Sequence, residues 1–223
     1  MATLAGYVSN ELTVDLVWRE AELAVMRKQL YLSEHGSLQE KVLMRASVAM
    51  VYAHYEGFCK LAVSQYIDSV SKLKLKRSEL NFKLASYSLS GFKSDLKSAS
   101  GNMEFFSEFL LQFNLLLDQV AEFETKLDTS NLWPVQLVDW LNRLGLDASE
   151  VIGVETLLES LVRNRNQIAH GKKLVVSSRK DLDNLSSAAT TAMHKVAVEV
   201  VNALEKKTYK NSGALTTVVN HAV

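Results

Sequence analysis

The stretch SLQEKVLMRASVAMVYAHYEGFCKLAVSQYIDSVSKLK, residues 37–74, decides the fold. Ser37-Leu-Gln-Glu40 has the pattern of a capping box, in which the serine oxygen accepts from a free N–H of the first turn while the glutamate reaches back. From there to Lys74 the apolar pattern is helical, with Gly57 as its one interruption. A helix of that length is a spine against which other elements must pack.

Composition points the same way. The 223 residues include one proline and nine glycines, against the roughly eleven and sixteen that average usage would give. A β-sandwich or a βαβ array needs a turn about every ten residues, and this chain lacks the residues to make them. An apolar fraction of 48% with 22% charged residues suits a chain that buries a core and excludes disorder throughout. The reading is an all-α bundle of about five to six helices, with a loop-rich insertion near 75–101. A single domain is expected over 1–207, with a flexible tail over 208–223.

Upstream of the spine, a first helix is expected from about Asn10 to Ser33, with Leu12, Leu16, Leu23, Met26 and Leu30 close to one stripe. Downstream, NFKLASYSL, residues 81–89, which leads into the serine-rich stretch Ser86 to Ser100, reads as loop with one helical turn, a short strand being the alternative its alternation allows. A third helix, Met103 to about Leu127, is apolar nearly all round, which predicts burial on several sides, a second subunit included. Trp133-Pro134 opens a fourth helix that Gly145 closes. Asp147-Ala-Ser-Glu150 reads as a second capping box introducing a fifth helix, which runs to Gly171. The last helix is expected from about Ser178 to Lys207.

A lone cysteine, Cys59, cannot form an intramolecular disulfide. The N-terminus lacks the basic region of a signal peptide, and no run approaches the 18 or so apolar residues of a membrane span. The expectation is a cytoplasmic protein without a membrane partner. The five histidines are scattered, and no HExxH, GxGxxG, Walker A or GxSxG motif is present. No metal site and no cofactor are expected.

Chemistry concentrates in Arg163-Asn-Arg-Asn-Gln-Ile-Ala-His170-Gly-Lys-Lys173. Six Lys or Arg and no Asp or Glu fall between 163 and 180, a local field suited to a polyanion although 25 bases balance 25 acids overall. At about 100° per residue, Asn166 and His170 share a helix face with Arg163, whereas Arg165 lies about 140° round from His170. An arginine and a histidine form a minimal kit for phosphodiester cleavage. The histidine moves a proton to or from a ribose oxygen, and the guanidinium holds the charged transition state. The plainer alternative is an ordinary basic helix end with a histidine cap.

Arg165-Asn166-Gln-Ile-Ala-His170 resembles the Arg-Asn-x-x-x-His motif of the HEPN (higher eukaryote and prokaryote nucleotide-binding) superfamily. Tyr52-Ala-His-Tyr55-Glu56-Gly-Phe58-Cys-Lys60 is similar to the aromatic-Glu-Gly-Phe segment of its MAE-type branch, as are Trp18-Arg19-Glu20 and Leu144-Gly-Leu-Asp147. The resemblance implies an all-α bundle acting as a homodimer, and a metal-independent endoribonuclease of a toxin or antiviral-defence system. RNA and a cognate antitoxin or defence protein are the implied partners. It assigns catalysis to Arg165, His170 and Asn166, with supporting or RNA-binding roles for Glu56, Arg163, Lys172 and Lys173. For Glu56 an i,i+4 pair with Lys60 is the alternative. Toxins of this superfamily silenced by nucleotidylation carry a tyrosine two residues after the histidine; here Lys172 stands there. A non-catalytic RNA-binding or protein-interaction module is the competing reading.

Overall fold

A computed structural model describes residues 3–90, 103–124, 131–172 and 176–211. Among these are eight α-helices: α1 (Leu4–Leu32), α2 (Leu38–Lys72), α3 (Phe82–Tyr87), α4 (Met103–Asp118), α5 (Pro134–Leu144), α6 (Ser149–Ile152), α7 (Glu155–Ala169) and α8 (Arg179–Glu205). A 3-10 turn, Arg77–Glu79, precedes α3. The all-α bundle is therefore present, and two short helices, α3 and α6, account for the excess over six.

The spine forms as its caps dictate. Ser37 Oγ accepts the Glu40 N–H at 3.1 Å, while the Glu40 carboxylate accepts the Gly36 N–H at 2.6 Å. Arg179 closes the same corner, its Nε 2.5 Å from Glu40 Oε1 and its Nη2 3.0 Å from the Ser33 carbonyl. The Gly36 N–H, with help from Arg179 and His35, holds the Glu40 carboxyl down to about 2. One of the six bases of the 163–180 strip is thus committed to the turn between α1 and α2.

At 35 residues, α2 is about 50 Å long. It packs against α1 and α8 on one side and α7 and α5 on the other. Tyr52, Tyr55, Phe58, Cys59, Tyr66 and Ile67 are fully buried along it. Burial pushes the Cys59 thiol far up, so it is a small core residue and not a nucleophile.

Several boundaries differ from the expectation. α1 begins six residues earlier because Thr3 Oγ1 accepts the Gly6 N–H at 3.1 Å, and Ala5 and Val8 enter the core. α4 stops at Asp118, after which Val120 bridges to Lys76 and the Ala121 N–H bonds the Leu75 carbonyl. In the single chain Leu115 is 66% exposed, so the burial expected there is incomplete. The expected fifth helix is two. Asp147 bonds the Ser149 N–H and hydroxyl and Glu150 pairs with Lys195, so no capping box forms; α6 ends at Gly153 and α7 starts afresh.

Residues 208–211, assigned to the tail, lie against the 3-10 turn. Tyr209 is buried, its carbonyl accepts the Asn81 N–H at 2.8 Å, and the Asn211 N–H bonds the Glu79 carbonyl. The stretch from 91 to 102 and the tail from 212 lie outside the described residues. Among the described residues no helix is long and apolar enough to cross a membrane.

Candidate functional site

α7 delivers the basic motif. Leu158, Leu161 and Val162 are fully buried, which fixes the rotation of the helix against α2. Arg165 springs from this inner side and its guanidinium emerges at the edge, 4.7 Å above the centroid of the Tyr52 ring, within cation–π range. Arg165 Nη1 donates to Asn131 Oδ1 at 2.6 Å and to Asn166 Oδ1 at 3.0 Å.

Tyr52 is itself clamped. Its hydroxyl accepts the Leu132 N–H at 2.9 Å; burial, chiefly, with the nearby Glu56 charge, pushes it up to about 12. Glu56 receives Lys60 Nζ at 2.8 Å. The i,i+4 pair with Lys60, the alternative reading of Glu56, is present. Every hydrogen bond to the Arg165 guanidinium comes from a neutral amide, and among the described residues no carboxylate lies within ion-pair distance of it.

His170 caps the other end of the motif. α7 stops in a Schellman turn, with the Gly171 N–H bonded to the Ile168 carbonyl at 3.0 Å and the Lys172 N–H to the Gln167 carbonyl at 3.0 Å. Gly171 takes φ 78°, the left-handed value that this turn requires and that side chains resist. The His170 ring is exposed and has no hydrogen-bond partner among the described residues. Arg45 of α2 donates to the Lys172 carbonyl and so holds the turn from below.

The structure brings Arg165 and Asn166 together over Tyr52, with Glu56 one turn further along α2 and paired with Lys60. Arg163 stands apart, 5.7 Å over the Trp133 ring and 3.4 Å from Glu159. Lys172 is exposed; Lys173 lies outside the described residues. The sequence analysis missed Asn131, Tyr52 as the floor under Arg165, and Arg45. Tyr52 and Arg45 are seven residues apart on α2, which returns them to one side of the helix after two turns. They meet Arg165 and Lys172, also seven apart, in antiparallel order.

A family model described as MAE_28990-like HEPN matches residues 8–209. The chain belongs to this HEPN family. The match spans α1 to α8 and thus the whole bundle that carries the network. No curated protein and no solved structure matches significantly. Among the described residues, no three or more His, Cys, Asp or Glu side chains gather where they could hold a metal ion.

Proposed function

We propose that this HEPN protein is a metal-independent endoribonuclease, acting as a homodimer in a toxin or antiviral-defence role. The observation that carries the reading is a fixed guanidinium, Arg165, whose charge no carboxylate among the described residues neutralises, at the edge of a helix that ends in an exposed histidine.

The chemistry follows from those two groups. A histidine removes the proton of a ribose 2′-hydroxyl, and the oxygen attacks the adjacent phosphorus. The bond to the 5′-oxygen breaks, that oxygen takes a proton, and the products are a 2′,3′-cyclic phosphate and a 5′-hydroxyl. Arg165 binds the phosphoryl oxygens, most strongly as charge builds in the transition state. Asn166 keeps the guanidinium oriented. One imidazole cannot take a proton and give another in the same instant. A cleft shared by two copies supplies a second His170 for the second transfer, which is the chemical reason for a dimer.

Cleavage of a mixed-sequence RNA in EDTA tests the reading. Wild type should cut, and Arg165→Ala and His170→Ala should not; equal rates in all three would end it. Because a shared cleft uses both His170 side chains, mixing the two inactive chains should not restore activity. The alternative, a non-catalytic binding module, is favoured by the structural look of the Arg165 contacts to Asn131 and Tyr52. It requires that RNA binding survive while no variant, wild type included, cleaves.

A further inference from the structure

We infer that Arg163 and Trp133 form a stacking platform for one unpaired nucleobase of single-stranded RNA. The inference rests on the ribonuclease reading and adds a base subsite to it. Three consecutive residues between the third and fourth long helices each engage the site. Asn131 holds the Arg165 guanidinium, the Leu132 N–H holds the Tyr52 hydroxyl, and the Trp133 ring backs the Arg163 guanidinium at 5.7 Å. The phosphate-binding arginine and the platform therefore share one rigid support.

That support is built to stay put. Leu132 is fully buried, the Trp133 N–H bonds Gln136 Oε1 at 2.9 Å, and Pro134 follows at the first turn of α5. The Arg163 side chain is 64% exposed, and its carboxylate partner Glu159 is 41% exposed at 3.4 Å. An exposed pair of this kind is worth little, so the guanidinium is easily taken over by another partner. The guanidinium lies 5.7 Å from the centroid of the Trp133 ring and most of the side chain is open to solvent. A planar cation preorganised over an indole is a surface on which any base can stack, because every base has a π-face. Arg163 and His170 are separated by seven residues, two helical turns and about 10 Å along α7, on the same side of the helix. The base on the platform thus belongs to a nucleotide near the bond that is cut, not to the one carrying it.

Binding measured in a His170→Ala background separates this inference from catalysis. The probe is a fluorescein-labelled single-stranded oligoribonucleotide, about ten nucleotides long, and versions of it with one abasic position, followed by anisotropy. Arg163→Ala should weaken binding at least about fivefold, in the range alanine substitution of a stacking partner gives. Arg163→Lys keeps the charge but loses the plane, and should be equally weak. One abasic position should weaken binding to the His170→Ala parent but not to the double variant. Trp133→Phe should lie between, and circular dichroism confirms that each variant is folded. If Arg163→Lys binds as the parent does, or if the abasic and Arg163 effects simply add, the platform is overturned while the cleavage reading stands. If the folded parent binds no RNA at all, both fall.

Discussion

Two arginines lie against residues of α2, and their surroundings differ in charge and in the exposure of the nearby histidine. Arg19 comes from α1, 4.5 Å over Trp18, with its Nε 2.5 Å from the Asp15 carboxylate and its Nη1 3.3 Å from His54 Nδ1. Arg165 comes from α7, 4.7 Å over Tyr52, and its acceptors among the described residues are the amide oxygens of Asn131 and Asn166. Each arginine has an aromatic floor, and each segment has a histidine. On the α1 side the charge is neutralised by Asp15 and the histidine is buried, 5% exposed. On the α7 side the charge is open and the histidine is exposed. An aromatic ring supports the guanidinium in both places, but among the described residues a carboxylate neutralises only Arg19, and the proposed phosphate-binding role of Arg165 rests on that difference.

The sharpest way to break the comparison is to delete each arginine. Arg165→Ala should lower the cleavage rate by about 10²–10³-fold, as loss of a charge-stabilising donor does, at a cost of only about 1 kcal/mol in stability. Arg19→Ala should do the reverse, costing about 2–3 kcal/mol because Asp15 and His54 lose their partner, while the protein that remains folded cleaves normally. Chemical denaturation alongside RNA cleavage reads both. A large activity loss in Arg19→Ala at full stability would show that the two sides had been misassigned.

The histidines should separate in the same manner. His170→Ala is expected to lose about 10²–10⁴-fold in rate with an unchanged Tm, since its ring is exposed and has no hydrogen-bond partner among the described residues. His54→Ala should lower the Tm and leave the rate of the folded fraction intact. A smaller effect is expected from Asn131→Ala, which frees Arg165 to turn: about tenfold in rate, or roughly 1.4 kcal/mol, with the fold retained.

The smallest effect is one of pH. Burial, and then the Arg19 charge, lower the His54 pKa below its ordinary 6.5, against the pull of Glu22, whose Oε2 lies 3.1 Å from Nε2. The unfolded chain therefore binds this proton more readily than the folded one. His54 contributes stability that is complete above pH 6.5 and is lost as pH falls through the lower folded value. The drop in Tm below pH 6.5 should be shallower in His54→Gln, and an identical slope would remove His54 from the account.

What was legible in the sequence was local. Ser37, Ser178, Pro134 and Gly145 act within one turn of their own position, so the caps they predict are present. The break between α6 and α7 was not legible, because it depends on Glu150 turning to Lys195 of α8 instead of closing its own first turn. The start of α1 at Thr3 was missed because Ala5 and Val8 declare themselves core residues only once α2 and α8 lie beside them. In the site, the order of Arg165, Asn166 and His170 was readable from spacing. Asn131 was not, since a single asparagine 34 positions away carries no periodicity. Tyr52 lay inside a segment noted for its likeness, yet its place under Arg165 exists only in the antiparallel pairing of α2 with α7. The basic strip was overread in one respect: Arg179 is bound to Glu40 and Ser33 and is not available to RNA.

The most direct test of the central claim is the chemistry of the cut ends. RNA treated in EDTA with wild type, Arg19→Ala, Arg165→Ala and His170→Ala is assayed for 2′,3′-cyclic phosphate and 5′-hydroxyl termini. The account predicts both termini from wild type and Arg19→Ala and neither from the other two. No such termini from wild type, or the same yield from all four, would contradict it.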